Sequence, residues 1–218
     1  MKQVKFWDEY YSERRADQTL VPSQFAVFFA NEVDGRIDGI LDVGCGNGRD
    51  ARFFAGIGYS VVGIDSSPGA IELCRLLAES LPDPERARAR YVNSTAIGSG
   101  IASGLECLMG LGAEKIAVYA RFLLHAVDEA AEADLLQSVL QAGSRVALLG
   151  AEFRTHHDRN LPKSTPDHYR RFIDPSVLVA RAVSIGYSVE YRTEGVGLAK
   201  FRTDDAHVSR VMLVPPKR

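Results

Sequence analysis

Residues 40–75 read ILDVGCGNGRDARFFAGIGYSVVGIDSSPGAIELCR. Gly39–Gly44 (GILDVG) is a short apolar run ending in glycine, the pattern of a buried strand. Asn47–Ile57 reads as a helix, and the β-branched run Tyr59–Asp65 (YSVVGID) as a second buried strand. Ser67 followed by Pro68 has the form of a helix N-cap with proline at the first helical position. That helix runs to about Ser80, with Ile71, Cys74, Leu77 and Ala78 at core spacing, and Leu81-Pro82-Asp83-Pro84 ends it.

Working outward, the alternation continues. Ala89–Asn93, Lys115–Ala120 (KIAVYA) and Ser144–Phe153 (SRVALLGAEF) read as strands, and Ala130–Gln141 as a helix. Strands alternating with helices imply an α/β, doubly wound parallel sheet. After Phe153 the rhythm breaks: a basic loop (154–172) leads to a helix near Pro175–Ile185. Tyr187–Glu194 and His207–Val214 then read as strands joined by a turn-rich link, an antiparallel hairpin on the sheet edge. Residues 1–36 read as one or two helices, a lid segment, leaving 37–218 as a single domain.

The chain has 218 residues, enough to bury a full core, and a net charge of −2, which argues against a nucleic-acid binder. No apolar stretch approaches the ~20 residues of a membrane span, and the charged, aromatic start MKQVKFWDEYYSERR is no secretory signal. Three cysteines without a CxxC pair fit a reducing cytoplasm rather than a disulfide framework or a zinc site. Residues 154–171 carry five Lys/Arg against two Asp, either a solvated loop or a patch for one anionic ligand.

The chemistry lies in the glycine loop and the acid that follows it. Gly44-x-Gly46-x-Gly48 lets a ligand touch main chain, and Asp65 at the end of the second strand can hold two vicinal ribose hydroxyls. A phosphate-binding loop would need Gly-Lys-Ser/Thr, and a dinucleotide loop Gly-x-Gly-x-x-Gly; neither is present. Asp42 would repel a pyrophosphate but suits an amino-acid ammonium, unless it only braces the loop. An ammonium together with a ribose diol describes S-adenosylmethionine.

The segment resembles motif I of the class I S-adenosylmethionine-dependent methyltransferases, with Asp65 matching their ribose-binding acid. That resemblance implies a Rossmann-like seven-stranded sheet of order 3-2-1-4-5-7-6, strand 7 antiparallel. It implies cofactor contacts from Asp42, Gly44, Gly46, Asp65 and Ser66, with Arg49 and Tyr119 beside them. Many members hold the adenine amine with an acid after strand 3. Tyr91-Val92-Asn93-Ser94-Thr95 has none, so Asn93, Ser94 or nearby backbone must serve. The aromatic group Phe6, Trp7, Tyr10 and Tyr11 is either a core-facing helix or a lid whose Trp7 or Tyr11 covers the cofactor.

FWDEYY with PSQFA (22–26), YARFLLHAVDEAAEADLL (119–136), and EFRT…LPKSTPDHYRRFIDP (152–175) with GLAKFRTDDAHVSR (197–210) are similar to the methyltransferase modules of bacterial O-antigen chain-terminating enzymes. This implies polysaccharide biosynthesis and a phosphate on a sugar or polysaccharide end as acceptor. An anionic oxygen needs orientation rather than a general base, and arginine suits that task. Arg121 and Arg154 at strand exits are the candidates, with Lys163, His168, Tyr169, Arg170 and Arg171 on the loop. Of the tandem Arg170-Arg171, at most one reaches the ligand. A neutral hydroxyl or amine of a sugar or secondary metabolite would instead need a base, with His125 first and His168 behind it. A cofactor-binding regulatory or scaffold protein without catalysis is the remaining alternative. No metal is expected: His156-His157 has only Asp158 at ligand spacing. Cys45 reads as a small loop residue, not a nucleophile, and Asp204, Asp205 and His207 as an edge turn.

Overall fold

The computed structural model of the chain describes residues 2–13, 21–95, 97–163, 168–201 and 203–217. Two helices, α1 (Lys2–Glu13) and α2 (Gln24–Val33), precede the first strand. The chain then runs β1 (Gly39–Val43), α3 (Arg49–Gly56), β2 (Ser60–Asp65), α4 (Pro68–Ala78), α5 (Asp83–Arg88), β3 (Ala89–Asn93), α6 (Ser99–Gly110) and β4 (Ile116–Arg121). It continues with α7 (Glu129–Gln141), β5 (Val146–Arg154), α8 (Pro175–Ser184), β6 (Ser188–Phe201) and β7 (Asp204–Val214). The strands form one sheet in the order β3-β2-β1-β4-β5-β7-β6. β7 runs antiparallel to both β5 and β6; the short link between β6 and β7 makes a hairpin, since it cannot make the crossover that parallel neighbours require.

Side chains alternate across the sheet with period two. Leu41, Val43, Val62, Ile64, Ile116 and Val118 pack under α6, α7 and α8. Ile40, Val61, Ala117 and Tyr119 pack under α2, α3 and α4. The same alternation places Asp42, Arg121 and Glu152 on the α2–α4 face, at the strand ends where that core stops. The helix start at Ser67 is capped as the sequence suggests, its Oγ accepting the Ala70 amide at 3.0 Å, and Asp128 Oδ1 caps α7 by accepting the Ala131 amide at 2.9 Å.

The structure departs from the sequence reading in four places. Pro82-Asp83-Pro84 does not only end α4; it opens α5, because proline is tolerated in a helix's first turn. α6 carries weak helical signal, being rich in glycine, and Gly104 is there for contact rather than propensity. A Cβ at that position would lie 2.5 Å from Leu41 Cδ1 on the neighbouring strand. The link between the last two strands is itself strand: β6 extends to Phe201 and β7 starts at Asp204. Finally, α2 is a core helix, with Phe25, Phe29 and Val33 fully buried, each worth about 1.5–3 kcal/mol of burial. Only α1 lies over the strand ends.

Candidate active site

A crevice of about 1060 Å³ opens at the C-terminal ends of β1, β2, β4 and β5. That matches the upper end of the ~300–1,000 Å³ range of small-molecule pockets, with room for two ligands. Its first half is the glycine loop. Gly44, Gly46 and Gly48 carry φ of 74°, 55° and 68°, a left-handed run that side chains resist. The loop is pinned by Asp65, whose Oδ2 accepts the Gly46 amide and Oδ1 the Ser67 amide, both at 2.9 Å. Burial pushes the Asp65 carboxyl up, and these amide bonds oppose it. Ser66 lines the crevice beside it.

Asp42 also lines the crevice, is 3% exposed, and has no hydrogen-bond partner among the described residues. Burial, then the nearby Asp50 and Asp65, hold its carboxyl well above the usual range. A buried carboxyl left without a donor is costly, and a ligand ammonium supplies the missing charge and donors. Asp65 keeps lone pairs for a diol, and the glycine loop leaves main chain open to contact. The donor set therefore fits S-adenosylmethionine.

Other expected cofactor residues divide. Arg49 lies in the lining, 3.4 Å from Asp50. Tyr119 lies there too, its hydroxyl donating to Asp50 Oδ2 at 2.8 Å. Asn93 and Ser94 do not: Asn93 Nδ2 donates to the Asp65 carbonyl at 2.9 Å, as does the Ser94 amide at 3.0 Å, and Thr95 and Ile97 line the crevice instead. Trp7, Tyr10 and Tyr11 face the crevice from α1. The Tyr11 hydroxyl stands over Gly46, in space a Cβ would claim. α1 is moored by Asp8, whose Oδ1 accepts the Gly69 amide at 2.7 Å and the Ser67 hydroxyl at 3.1 Å.

The second half of the crevice is built from charges on different strands. Arg121 is paired in register with Glu152 on β5, and Glu152 with Arg210 on β7. Glu152, fully buried, accepts from Arg121 Nε at 2.9 Å and from Arg210 Nε at 2.8 Å. Burial would lower the Arg121 pKa, but Glu152 and Asp50 outweigh it and raise it. The Arg121 side chain remains 17% exposed in the crevice, with Nη1 and Nη2 unbonded among the described residues.

Arg154 behaves differently. Its Nη1 and Nη2 donate to Asp158 and Asp204, each at 2.7 Å. The expected anion ligand is thus a brace, because two carboxylates already take both ends of its fork. His125 is buried, and its Nδ1 accepts the Arg154 amide at 3.2 Å. Burial, then the Arg154 and Arg170 charges, hold its pKa well below the usual histidine range. With Nδ1 accepting, the single proton of the neutral ring sits on Nε2, so His125 faces ligands as a donor rather than a base.

On the basic loop, His168 stacks on Phe6 at 4.5 Å and meets Trp7 edge-on at 4.9 Å. Its Nδ1 lies 3.2 Å from Arg170 Nη2, and both residues line the crevice. Arg171 turns away to Glu132 and the Leu124 carbonyl. Tyr169 is 46% exposed and outside the lining, and Lys163 is taken by Asp158. Cys45 lines the crevice, its thiol pushed up by the Cys74 thiol and by burial. Among the described residues no cluster of three His, Cys, Asp or Glu side chains could hold a metal.

The sequence reading passed over Asp50, Glu152, Arg210 and Phe122. Glu152 and Arg210 had one signal, a charge inside a largely apolar strand, which demands a partner; Asp50, between Arg49 and Arg52 on α3, had none. Phe122 had none. It sits at φ 58°, a left-handed conformation adopted by no other non-glycine among the described residues. For a bulky residue this costs about 1–3 kcal/mol.

Residues 40–102 match the sequence model of a family described as a methyltransferase domain. That match, the strand order and the crevice support an S-adenosylmethionine-dependent methyltransferase activity for the chain. The ubiquinone biosynthesis O-methyltransferase of Acinetobacter baumannii (strain ACICU) is 26% identical over 211 residues, covering 87% of this chain and 80% of that one. A glycopeptide N-methyltransferase, MtfA, solved with S-adenosyl-L-methionine, superposes with a TM-score of 0.68 at 17% identity, covering 88% of this chain and 93% of that one. The magnesium protoporphyrin IX methyltransferase of Synechocystis PCC 6803, solved with the same ligand, gives 0.60 at 15% identity, covering 88% and 76%. No helix of the described residues is long and apolar enough to cross a membrane.

Proposed function

We propose that this enzyme methylates an anionic oxygen, a phosphate on a sugar or polysaccharide end. The observation that carries the reading is the His125 Nδ1 bond to the Arg154 amide. It makes His125 a donor in the crevice, alongside the open end of Arg121 and the guanidinium of Arg170. A wall of donors fits an acceptor that arrives already charged and needs no base. The O-methyltransferase relative supports oxygen as the attacked atom.

Bound S-adenosylmethionine supplies a methyl carbon on a sulfonium, open to in-line attack. This chain's residues divide the rest. Asp65 holds the ribose diol, Asp42 the ammonium, and the glycine loop the amino-acid end. Arg121 and Arg170 orient the acceptor anion, His125 donates to it, and Arg154 braces the hairpin. α1, moored by Asp8, lays Trp7 and Tyr11 over the crevice and excludes water. Orientation of this kind can supply much of the barrier reduction.

A neutral ring hydroxyl is the second reading, favoured by the aromatic lining of Trp7, Tyr10, Phe122 and Phe201. The two are separated by incubating the enzyme with S-adenosylmethionine and, in parallel, sugar phosphates and catechols, followed by mass spectrometry. A methyl phosphodiester is the expected product. Methyl groups found only on hydroxyls would contradict the proposal.

A further inference from the structure

Phe122 follows Arg121 at the end of β4, has a left-handed backbone and lines the crevice. Its amide donates to the Glu152 carbonyl at 2.8 Å, so the turn is anchored to the strand that carries the Arg121 partner. The Arg121 guanidinium carbon lies 4.1 Å from the ring centroid, and that of Arg154 5.4 Å. The His125 ring meets it near edge-on, with centroids 5.1 Å apart. The ring also packs against Ala199, Ala206 and Val208 of the β6–β7 hairpin. Glycine would make this turn without strain, so the aromatic ring must return something for the conformation it is held in.

We propose that Phe122 is the positioning residue of the acceptor anion site: its ring holds the Arg121 guanidinium face-on and turns Nη1 and Nη2 into the crevice. This rests on the anionic-acceptor reading above. Glu152 fixes one end of the guanidinium through Nε, and a single hydrogen bond leaves the plane free to rotate about it. A π face stacked on that plane removes the rotation while taking none of the donors. Arg154 on the same ring ties the hairpin to the arrangement, and with it Asp204.

The test titrates glucose 1-phosphate by calorimetry into enzyme saturated with S-adenosylhomocysteine, for wild type, Phe122→Leu, Phe122→Tyr and Arg121→Ala. Leucine keeps the apolar bulk and the backbone strain but removes the π face; tyrosine restores it. Phe122→Leu should weaken glucose 1-phosphate by at least about fivefold, the size of a partly desolvated cation–π contact. Phe122→Tyr should bind within about twofold of wild type, and S-adenosylhomocysteine affinity should hold within about twofold in both. If Phe122→Leu binds glucose 1-phosphate like wild type while Arg121→Ala loses it, the positioning role is wrong and the anion site stands. A parallel loss of both ligands in Phe122→Leu also overturns it, in favour of a packing role. If wild type does not bind glucose 1-phosphate, the acceptor reading falls and this inference with it.

Discussion

The two halves of the crevice are built on opposite principles. The cofactor half is local: β1, the glycine loop, α3 and β2 lie within 30 consecutive residues, and its bonds are mostly between a carboxylate and nearby amides. The acceptor half is assembled from a distance. Arg121, Glu152 and Arg210 meet across three strands, and Arg154 joins residues 4 and 50 positions away. Local backbone chemistry tolerates little change in sequence. Long-range ion pairs can be rewired while the sheet is kept, which suits a family of sites with one donor and many acceptors.

The sharpest way to break this contrast is to cut the acceptor half at its buried centre. Glu152→Ala leaves two guanidiniums without their shared carboxylate, and should cost about 3–5 kcal/mol in urea denaturation. A loss below about 1 kcal/mol would mean that the ladder does not hold the half together. Arg121→Ala is next. It should lower turnover about a hundredfold, as removal of one aligned charged donor does, with cofactor affinity within about threefold. Equal losses in both would erase the division between the halves.

A smaller effect sharpens the cofactor side. In the folded chain Asp42 holds its proton above the ordinary carboxylate range. Between the ordinary value and the raised one the folded state binds more protons than the unfolded, so stability falls as pH rises through that window. The thermal midpoint of the ligand-free wild type should therefore drop more steeply with pH there than that of Asp42→Asn. Cofactor binding should release a proton, read from calorimetry in buffers of different ionisation enthalpy, and Asp42→Asn should remove most of that release. Identical proton release in the two proteins would take the ammonium away from Asp42.

The same contrast explains what the sequence disclosed. The strand order came with the resemblance of residues 40–75 to a known motif. Asp42 and Asp65 stand out in the sequence because they bracket the glycine loop within 25 residues, and the structure places both in the crevice lining. Asp50 was not, since its partners Ser23 and Tyr119 come from other elements 27 and 69 residues away. Arg154 was misjudged for the same reason: nothing near it in sequence announces Asp204. Asn93 and Ser94 stood at the right place in the strand order, but neither lines the crevice, and the Asn93 side chain is spent on the Asp65 carbonyl. α6 stayed hidden because tight packing on Leu41 requires the glycine that weakens helical propensity.

The central claim is that the adenosyl group is gripped where β1 and β2 end, by the Asp65 carboxylate. Calorimetric titration of S-adenosylhomocysteine into wild type and Asp65→Ala tests it most directly. Asp65→Ala should lose at least tenfold in affinity, since a desolvated carboxylate–diol contact is worth ~1.5–3 kcal/mol, with the fold intact by circular dichroism. Unchanged affinity in a folded variant would contradict it.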